Sequence, residues 1–206
     1  DHGDQSLAHE WIVAKLGQWL EAPVCEPALV AVDGQLVNGV SANGISLPAG
    51  TYFGSRYQAG AESTTVEWMD RDGNASRFAR LLALWEWCLG EDAQFFYDAR
   101  QDLQVWSFDH GLWFANYEPA WSVARVRDLT HAAWEWPDGQ RFGVSADALV
   151  AAADRVASVD EAVLIGILEQ VPLSWTVTDE VLAAIGEFLL TRAPTVEQSL
   201  RRRARS

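Results

Sequence analysis

Two aspartates, Asp92 and Asp109, stand on either side of a segment that is predicted to fold as a β-hairpin. A hairpin of about ten residues brings the loop before it close to the residue after it, so we expect the two carboxylates to converge. Phosphoryl transfer needs one carboxylate near the attacking hydroxyl and a second that holds Mg²⁺ against the phosphates. Asp109 also lies in an apolar stretch, where a charge needs a partner such as a metal ion. The alternative is that both residues merely begin surface turns, where Asp is common.

The elements that must position these aspartates follow from apolar periodicity and turn residues. Before residue 120 the sequence predicts a helix over 6–21, strands over 28–32 and 51–57, a helix over 76–89, and a hairpin with strands over 95–97 and 103–108. After residue 120 it predicts a helix over 145–156, a helix over 158–170 with a capping box at Ser158, a helix capped by Thr178, and a last short helix from Thr195. A small β region among helices is typical of the α+β class, with a mainly helical C-terminal part.

Charge and cysteine content narrow the class of protein. The chain of 206 residues carries a formal net charge of −14, which argues against binding to nucleic acid and against docking on anionic lipid. The longest late apolar run is far too short to span a bilayer. Cys25 and Cys88 match no zinc-ligand spacing, so we expect two reduced, buried thiols. These features favour a cytoplasmic protein that has neither nucleic acid nor a membrane as its partner.

Several segments resemble the HipA-like kinases, relatives of the bacterial persistence kinase HipA and more distantly of the phosphatidylinositol kinases. These segments are residues 6–10 with 16–17 and 22–24, residues 48–56, residues 107–111 and residues 169–175. In that order they resemble the helix after the ATP-binding lysine strand, the segment near the hinge, the counterpart of the kinase Asp-Phe-Gly motif, and the helix-then-Pro-Trp feature near the family's C-terminus. Their order and spacing along nearly the whole chain carry the resemblance.

The resemblance implies a protein-kinase-like fold and a phosphotransferase that depends on ATP and Mg²⁺. Its partners would be the nucleotide and a hydroxyl-bearing acceptor, either a protein or a small molecule. Asp109 would bind Mg²⁺, and Asp92 would take the position of the catalytic aspartate. Gln94 would offer a neutral oxygen to the metal where the family has an asparagine.

The same resemblance assigns further residues to the nucleotide site. Glu10 would pair with the lysine that holds the α- and β-phosphates, and Phe53 and Ser55 would lie near the hinge. His110 and Gly111 follow the metal-binding aspartate and would complete the cofactor site, His110 by orienting its loop rather than as a metal ligand.

The chain departs from the family pattern in its N-terminal part. Lys15 is the only lysine, and it lies on the first predicted helix rather than on a strand before it. No glycine-rich phosphate loop precedes that helix, and the loop 92–94 lacks the family's asparagine. We therefore expect an incomplete N-lobe, with a remnant of this lobe and of the hinge over 1–57, and a helical C-lobe over 58–206 with a catalytic hairpin at 90–114.

Two other functions stay open at this point. The shortened loop fits a pseudokinase, a binding module on the same scaffold. The eleven tryptophans and the paired aspartates would suit a carbohydrate-active protein, because indole rings stack on sugars and carboxylate pairs hydrolyse glycosidic bonds. The tryptophans expected in the core are Trp11, Trp19, Trp85 and Trp87, and those expected at a surface platform are Trp134 and Trp136.

Overall fold

The computed structural model describes residues 3–34, 41–42, 45–46, 48–58, 60–63, 67–91, 94–114, 121–135 and 143–205. Its helices are α1 (Gly3–Trp19), α2 (Asn74–Trp87), α3 (Val123–Leu129), α4 (Ala146–Ala157), α5 (Glu161–Leu168) and α6 (Asp179–Arg203). Its strands are β1 (Pro27–Val32), β2 (Ser41–Ala42), β3 (Ile45–Ser46), β4 (Gly50–Ser55), β5 (Ala61–Ser63), β6 (Gln94–Asp98) and β7 (Gln104–Phe108). The mixture of small sheets and a helical C-terminal part confirms the predicted α+β class.

The strands form small antiparallel sheets. β1 pairs with β4, β2 pairs with β3, and β6 lies between β5 and β7. In the β6–β7 hairpin Gln94 lies opposite Phe108. Val24, in the chain that leaves α1, forms a parallel bridge to Ser107 on β7. The first helix is therefore tied by backbone pairing to the strand that leads into the candidate site.

Helices α1 and α2 lie at the centre of the core. Apolar side chains of both helices are almost completely buried, for example Ile12 and Leu16 in α1 and Phe78, Leu82 and Trp85 in α2. α1 is buried more evenly around its axis than the predicted amphipathic pattern requires. Burial of each such side chain stabilises the fold by about 1.5–3 kcal/mol.

A buried asparagine holds the start of α2 against the β6–β7 hairpin. The amide nitrogen of Asn74 donates to the carbonyl oxygens of Trp68 and Leu103, each at 2.9 Å. Its oxygen accepts from the backbone N–H of Val105 at 3.0 Å. Because Asn74 is fully buried, each of these bonds replaces one that water can no longer make. The hairpin therefore has a fixed position relative to the helix.

The capping residue predicted from the sequence is the observed one at α6 but not at α5. The Thr178 hydroxyl accepts from the N–H of Val181 at 3.4 Å, so the predicted cap of α6 is confirmed. The predicted cap of α5 is wrong, because the Asp160 carboxylate accepts from the N–H of Val163 at 2.9 Å. The Ser158 hydroxyl instead donates to a carbonyl oxygen at the end of α4. Asp and Ser cap helices about equally well, so only tertiary structure decides between them.

The predicted short helix from Thr195 does not exist as a separate element. α6 is one helix of 25 residues that runs through Pro194. Proline removes one backbone N–H from the helix and normally interrupts it. Here Val196 and Leu200 are completely buried beyond the proline, so packing of the second half outweighs the local preference.

Most tryptophans of the described residues serve the core. The buried ones are Trp11, Trp85, Trp87, Trp113, Trp121 and Trp175. Trp19 is half-buried and packs against this core. Trp134 is also half-buried, and its indole N–H donates to the Gly90 carbonyl oxygen at 2.6 Å. Trp134 is therefore an anchored side chain rather than part of an open platform, and Trp136 lies outside the described residues.

Two further predictions concern the thiols and the membrane. Cys25 and Cys88 are free and buried, as expected. Within the ranges given above, no helix combines the length and the apolar character needed to cross a bilayer. The predicted division of the chain into an N-lobe remnant over 1–57 and a C-lobe over 58–206 stays a prediction.

Candidate functional site

The chain turns sharply at Asp109, directly after β7. Its φ of +57° lies in the left-handed region, which Asp tolerates better than most residues. The turn leaves the Asp109 side chain exposed, whereas the next residue, His110, is only 2% exposed.

The residue after this pair docks on α1. The carbonyl oxygen of Gly111 accepts from the Ser6 hydroxyl at 3.1 Å and from Nδ1 of His9 at 3.0 Å. A Cβ at position 111 would lie 2.8 Å from Oγ of Ser6, so glycine permits this close approach. Ser6, His9 and Glu10 share one face of α1, because residues three and four apart point the same way. The loop and the Glu10 carboxylate are therefore held side by side.

His110 links the hairpin to Glu10. The Ser107 hydroxyl donates to the backbone carbonyl oxygen of Gln94 at 3.2 Å and lies 3.0 Å from Nε2 of His110. With its hydrogen directed to Gln94, Ser107 accepts from Nε2–H. The other ring nitrogen, Nδ1, lies 3.4 Å from Oε2 of Glu10 and makes no hydrogen bond, although it is buried. A buried polar atom without a partner is unusual and needs a reason.

The order Ser107, His110 and Glu10 has the outline of a hydrolytic triad, but it does not fit one. A nucleophilic serine must reach its substrate. Ser107 is completely buried, and it is paired on both sides, to the Gln94 carbonyl and to the imidazole. Its place in the sheet therefore gives it a positioning role.

The side chain of Gln94 meets Asp109. Its amide nitrogen donates to Oδ2 of Asp109 at 3.0 Å, so the two residues predicted as metal ligands lie together. Ligation by Gln94 would need the amide to rotate and present its oxygen. Asp92, predicted to converge with Asp109, lies outside the described residues. The pKa of the preceding carboxyl, Glu91, is raised by burial, an effect that Arg125 opposes.

Most of the predicted site residues line one narrow cleft. The residues that line it are Glu10, Ala14, Cys25, Phe53, Ser55, Phe108, Asp109 and His110. They come from α1, the segment after it, β4 and the end of β7. The cleft has a volume of about 10 Å³, which is room for a single water molecule.

Two residues of this region were missed by sequence reasoning. Cys25 was expected only as a buried thiol, yet it lines the cleft, and burial together with the Glu10 carboxylate raises its pKa to about 11. Ser107 is the first residue of the predicted motif 107–111, but no role was predicted for it, because its bond to His110 joins a strand to a turn and leaves no signal in the sequence. Its inward-facing position on the strand was the available hint.

Lys15 is not the partner that the resemblance implies for Glu10. Its ammonium lies 4.6 Å from the ring centre of Trp11, and Lys15 is not among the residues that line the cleft. Within the described part of the chain, the side chain that lies within 4 Å of the Glu10 carboxylate and could carry a positive charge is the His110 imidazole, not a lysine.

The oxygen atoms of the cleft could bind Mg²⁺ only if waters or substrate phosphates supplied the remaining ligands. The described residues contain no group of three or more His, Cys, Asp or Glu side chains that could hold a metal ion. Mg²⁺ does not require one, since proteins often hold it by one or two carboxylates, with waters and substrate phosphates. Asp109 and Glu10 supply carboxylates to one cleft, and Gln94 touches Asp109.

Comparison with known proteins bears on this site directly. The model of the HipA-like kinase family matches residues 1–97. Over these 97 residues the chain is similar to the HipA-like kinases. The predicted family is thereby confirmed over a range that includes Glu10, Phe53, Ser55 and Gln94. No curated protein and no solved structure matches the chain.

The HipA-like segment and the residues that follow it build the site jointly. The segment contributes α1, the β1–β4 sheet and α2 and ends within β6. Residues 109–111 lie beyond it, and they are bonded to α1 through the Gly111 carbonyl oxygen. The geometry thus connects the family match to the motif that resembles Asp-Phe-Gly.

Proposed function

We propose that this chain is a HipA-like phosphotransferase domain that binds ATP and Mg²⁺ at the cleft between α1, β4 and residues 109–111. One observation carries the proposal: the double hydrogen bond from α1 to the Gly111 carbonyl oxygen, which sets Glu10 and Asp109 on the same cleft. In protein kinases a helix glutamate and a metal-binding aspartate must both be in place for catalysis.

The residues of the cleft take distinct roles in this proposal. Asp109, with its exposed carboxylate, holds the metal, and Gln94 orients that carboxylate through its amide N–H. Bound Mg²⁺ supplies positive charge that offsets the charge of the phosphates. Phe53 and Ser55 contact the nucleotide from β4. Glu10 pairs with a cation that holds the phosphates.

The acceptor side of the reaction depends on residues near the start of the hairpin. Asp92 orients the acceptor hydroxyl and accepts its proton, as the catalytic aspartate does in kinases. His110 keeps its loop in place through Ser107 and faces Glu10. Gly111 completes the cofactor site by letting the loop approach α1.

A pseudokinase is the second candidate, and it is favoured because no lysine faces Glu10 within the described residues; Lys15, the one lysine in the sequence, lies over the Trp11 ring. Such a chain would bind a nucleotide without transferring its phosphate. Both candidates need an opening movement, since a volume of about 10 Å³ leaves no room for a nucleotide. The carbohydrate-active alternative gains no support, because this cleft is smaller than a sugar ring and six tryptophans are buried in the core.

The test is the thermal stability of the whole chain with Mg²⁺-ATP, with ATP and EDTA, and without nucleotide. Binding at 100 times Kd stabilises a protein by about 2.7 kcal/mol, which is a shift of several degrees. Asp109→Asn should abolish the shift that needs Mg²⁺. The matched control is Asp102→Asn, an exposed aspartate with left-handed backbone at the other end of the hairpin, and it should leave the shift unchanged.

Phosphate release from ATP separates the two candidates. Turnover that is lost in Asp109→Asn supports the phosphotransferase, and a shift without turnover supports the pseudokinase. Absence of a Mg²⁺-ATP shift in the unaltered chain would show that both are wrong.

A further inference from the structure

An apolar groove lies between α5 and α6, outside the candidate nucleotide site. Its volume is about 310 Å³, which is the lower end of the range for pockets that take ligands. Its apolar lining residues are Ile165, Leu168, Val171, Leu173, Leu182 and Ala183. Leu173 is 97% exposed and Ile165 is 46% exposed. Contiguous apolar surface of this kind marks sites of interaction.

The turn that carries Leu173 is fixed on both sides. Val171 before it and Trp175 after it are buried. The indole N–H of Trp175 donates to the Thr51 carbonyl oxygen on β4 at 2.7 Å, and its backbone N–H donates to the Pro172 carbonyl oxygen at 3.0 Å. Leu173 is therefore presented to solvent by an ordered turn. A side chain held in this way loses less conformational entropy when a partner covers it.

The charge around the groove selects the partner. Glu169 and Asp179 stand among the residues that line it. The stretch from residue 156 to residue 191 contains no Lys or Arg, and its acidic residues are Asp160, Glu161, Glu169, Asp179, Glu180 and Glu187. An apolar groove whose charged lining residues, Glu169 and Asp179, are both acidic favours a cationic partner and repels an anionic one.

We propose that the α5–α6 groove is a docking site for a segment of a partner protein in which bulky apolar residues are flanked by arginine or lysine. The apolar side chains enter the groove beside Leu173, and the basic residues face Glu169 and Asp179. A second copy of this chain is disfavoured as the occupant, because each copy carries a net charge of −14 and this face would meet like charge. The inference does not depend on nucleotide binding.

The probe is a fluorescein-labelled synthetic peptide with two leucines three positions apart and two arginines on either side. Its binding to the whole chain is measured by fluorescence anisotropy at low and at moderate salt. The groove variants are Leu173→Ser and Glu169→Lys. Both should fold, since Leu173 is exposed and a lysine at the C-terminal end of α5 suits the helix dipole. Circular dichroism checks that each variant has the helix content of the unaltered chain.

Matched variants elsewhere separate the groove from general charge attraction. Leu29→Ser removes an exposed leucine, 47% accessible, on β1, and Glu135→Lys reverses an exposed acid outside the groove. We expect Leu173→Ser to weaken binding about tenfold and Glu169→Lys to weaken it about fivefold, with each control within about twofold. Replacing the peptide's leucines by serine, or its arginines by glutamate, should abolish binding.

Three results would overturn the proposal. The first is absence of peptide binding to the unaltered chain. The second is equal loss of binding in the groove variants and the control variants. The third comes from sedimentation velocity: a dimer that Leu173→Ser converts to a monomer would identify a second copy as the occupant.

Discussion

Arg192 and His110 are both buried basic side chains, but they differ in how completely their nitrogen atoms are hydrogen-bonded. The Arg192 side chain is only 4% exposed. It donates to four backbone carbonyl oxygens at 2.8–3.2 Å, those of Glu86, Trp87, Thr130 and Ala132. Its guanidinium also lies 5.2 Å from the ring centre of Phe188. The hydrogen-bonding capacity of this group is thus well used, and it joins α6 to the ends of α2 and α3.

His110 is as deeply buried, but only one of its ring nitrogens is hydrogen-bonded. Nε2 contacts Ser107, and Nδ1 faces the Glu10 carboxylate without forming a hydrogen bond. The cleft opens at this pair. A buried polar group with its hydrogen bonds made stabilises a junction, whereas a buried polar atom without a partner costs stability and needs another reason to be retained, such as a ligand. The comparison therefore separates a structural centre from the candidate site inside the same chain.

The largest effect is expected at the structural centre. Arg192→Ala leaves two buried and two partly buried carbonyl oxygens without this donor, so the free energy of unfolding should fall by about 3–5 kcal/mol. Urea denaturation measures it. The control is Arg127→Ala, which removes an exposed pair with Glu187 and should cost less than about 1 kcal/mol. If the two variants lose similar amounts of unfolding free energy, Arg192 is not a structural centre.

Gly111→Ala is expected to act on both stability and binding. The new Cβ would lie 2.8 Å from Oγ of Ser6, so either the loop moves away from α1 or Ser6 rotates and loses its hydrogen bond. The free energy of unfolding should fall by about 1–2 kcal/mol, and the Mg²⁺-ATP thermal shift should be lost. Adding Ser6→Ala removes the clash and should restore part of the shift. If the double variant is no better than Gly111→Ala, the close approach is not the cause.

Cys25 provides a pH-dependent measure of burial beside Glu10. Its pKa is raised from the ordinary value of 9.0 to about 11, so the unfolded chain releases the thiol proton first. The stability that Cys25 contributes is complete below about pH 9 and is lost as the pH rises towards 11. The stability difference between the unaltered chain and Cys25→Ala should therefore shrink by about 1 kcal/mol between pH 8 and pH 10. A difference that stays constant over this range would contradict the burial of the thiol.

Glu10→Gln should change stability least and binding most selectively. The carboxylate forms no hydrogen bond with His110, so the free energy of unfolding should change by no more than about 0.5 kcal/mol. The Mg²⁺-ATP shift should nevertheless disappear. Glu21→Gln, which alters an exposed carboxylate paired with Arg80, serves as the control and should keep the shift. A large loss of stability in Glu10→Gln would show that Glu10 stabilises the fold, as Arg192 does, and would contradict its role in binding.

Local signals in the sequence predicted much of the fold. The alternating apolar residues and the turn after residue 97 indicated the β6–β7 hairpin, and Thr178 marked the start of α6. These features depend on neighbouring residues alone. The continuity of α6 was missed because the proline at position 194 is a strong local breaker, and burial of residues beyond it is a property of the whole fold.

The candidate site could be predicted only in part, for a related reason. Glu10, Phe53 and Ser55 were identified by resemblance, and Asp109 by its place after the predicted hairpin; all four line one cleft. The bonds that hold the cleft together join side chains of α1 to the Gly111 carbonyl oxygen, and the backbone of residues 23–25 to the backbone of Ser107 on β7. Backbone acceptors such as the Gly111 carbonyl oxygen are present at every residue, so no residue type marks them.

The bond between Ser6 and the Gly111 carbonyl oxygen spans 105 positions of the chain. Contacts of such long sequence separation form late in folding, because the intervening chain must first lose its freedom. During synthesis, the loop that completes the cleft is added after the residues of α1 and α2 and lies beyond residue 97, where the family match ends. The geometry of the candidate site therefore cannot be complete until at least fourteen further residues, up to Gly111, have been added.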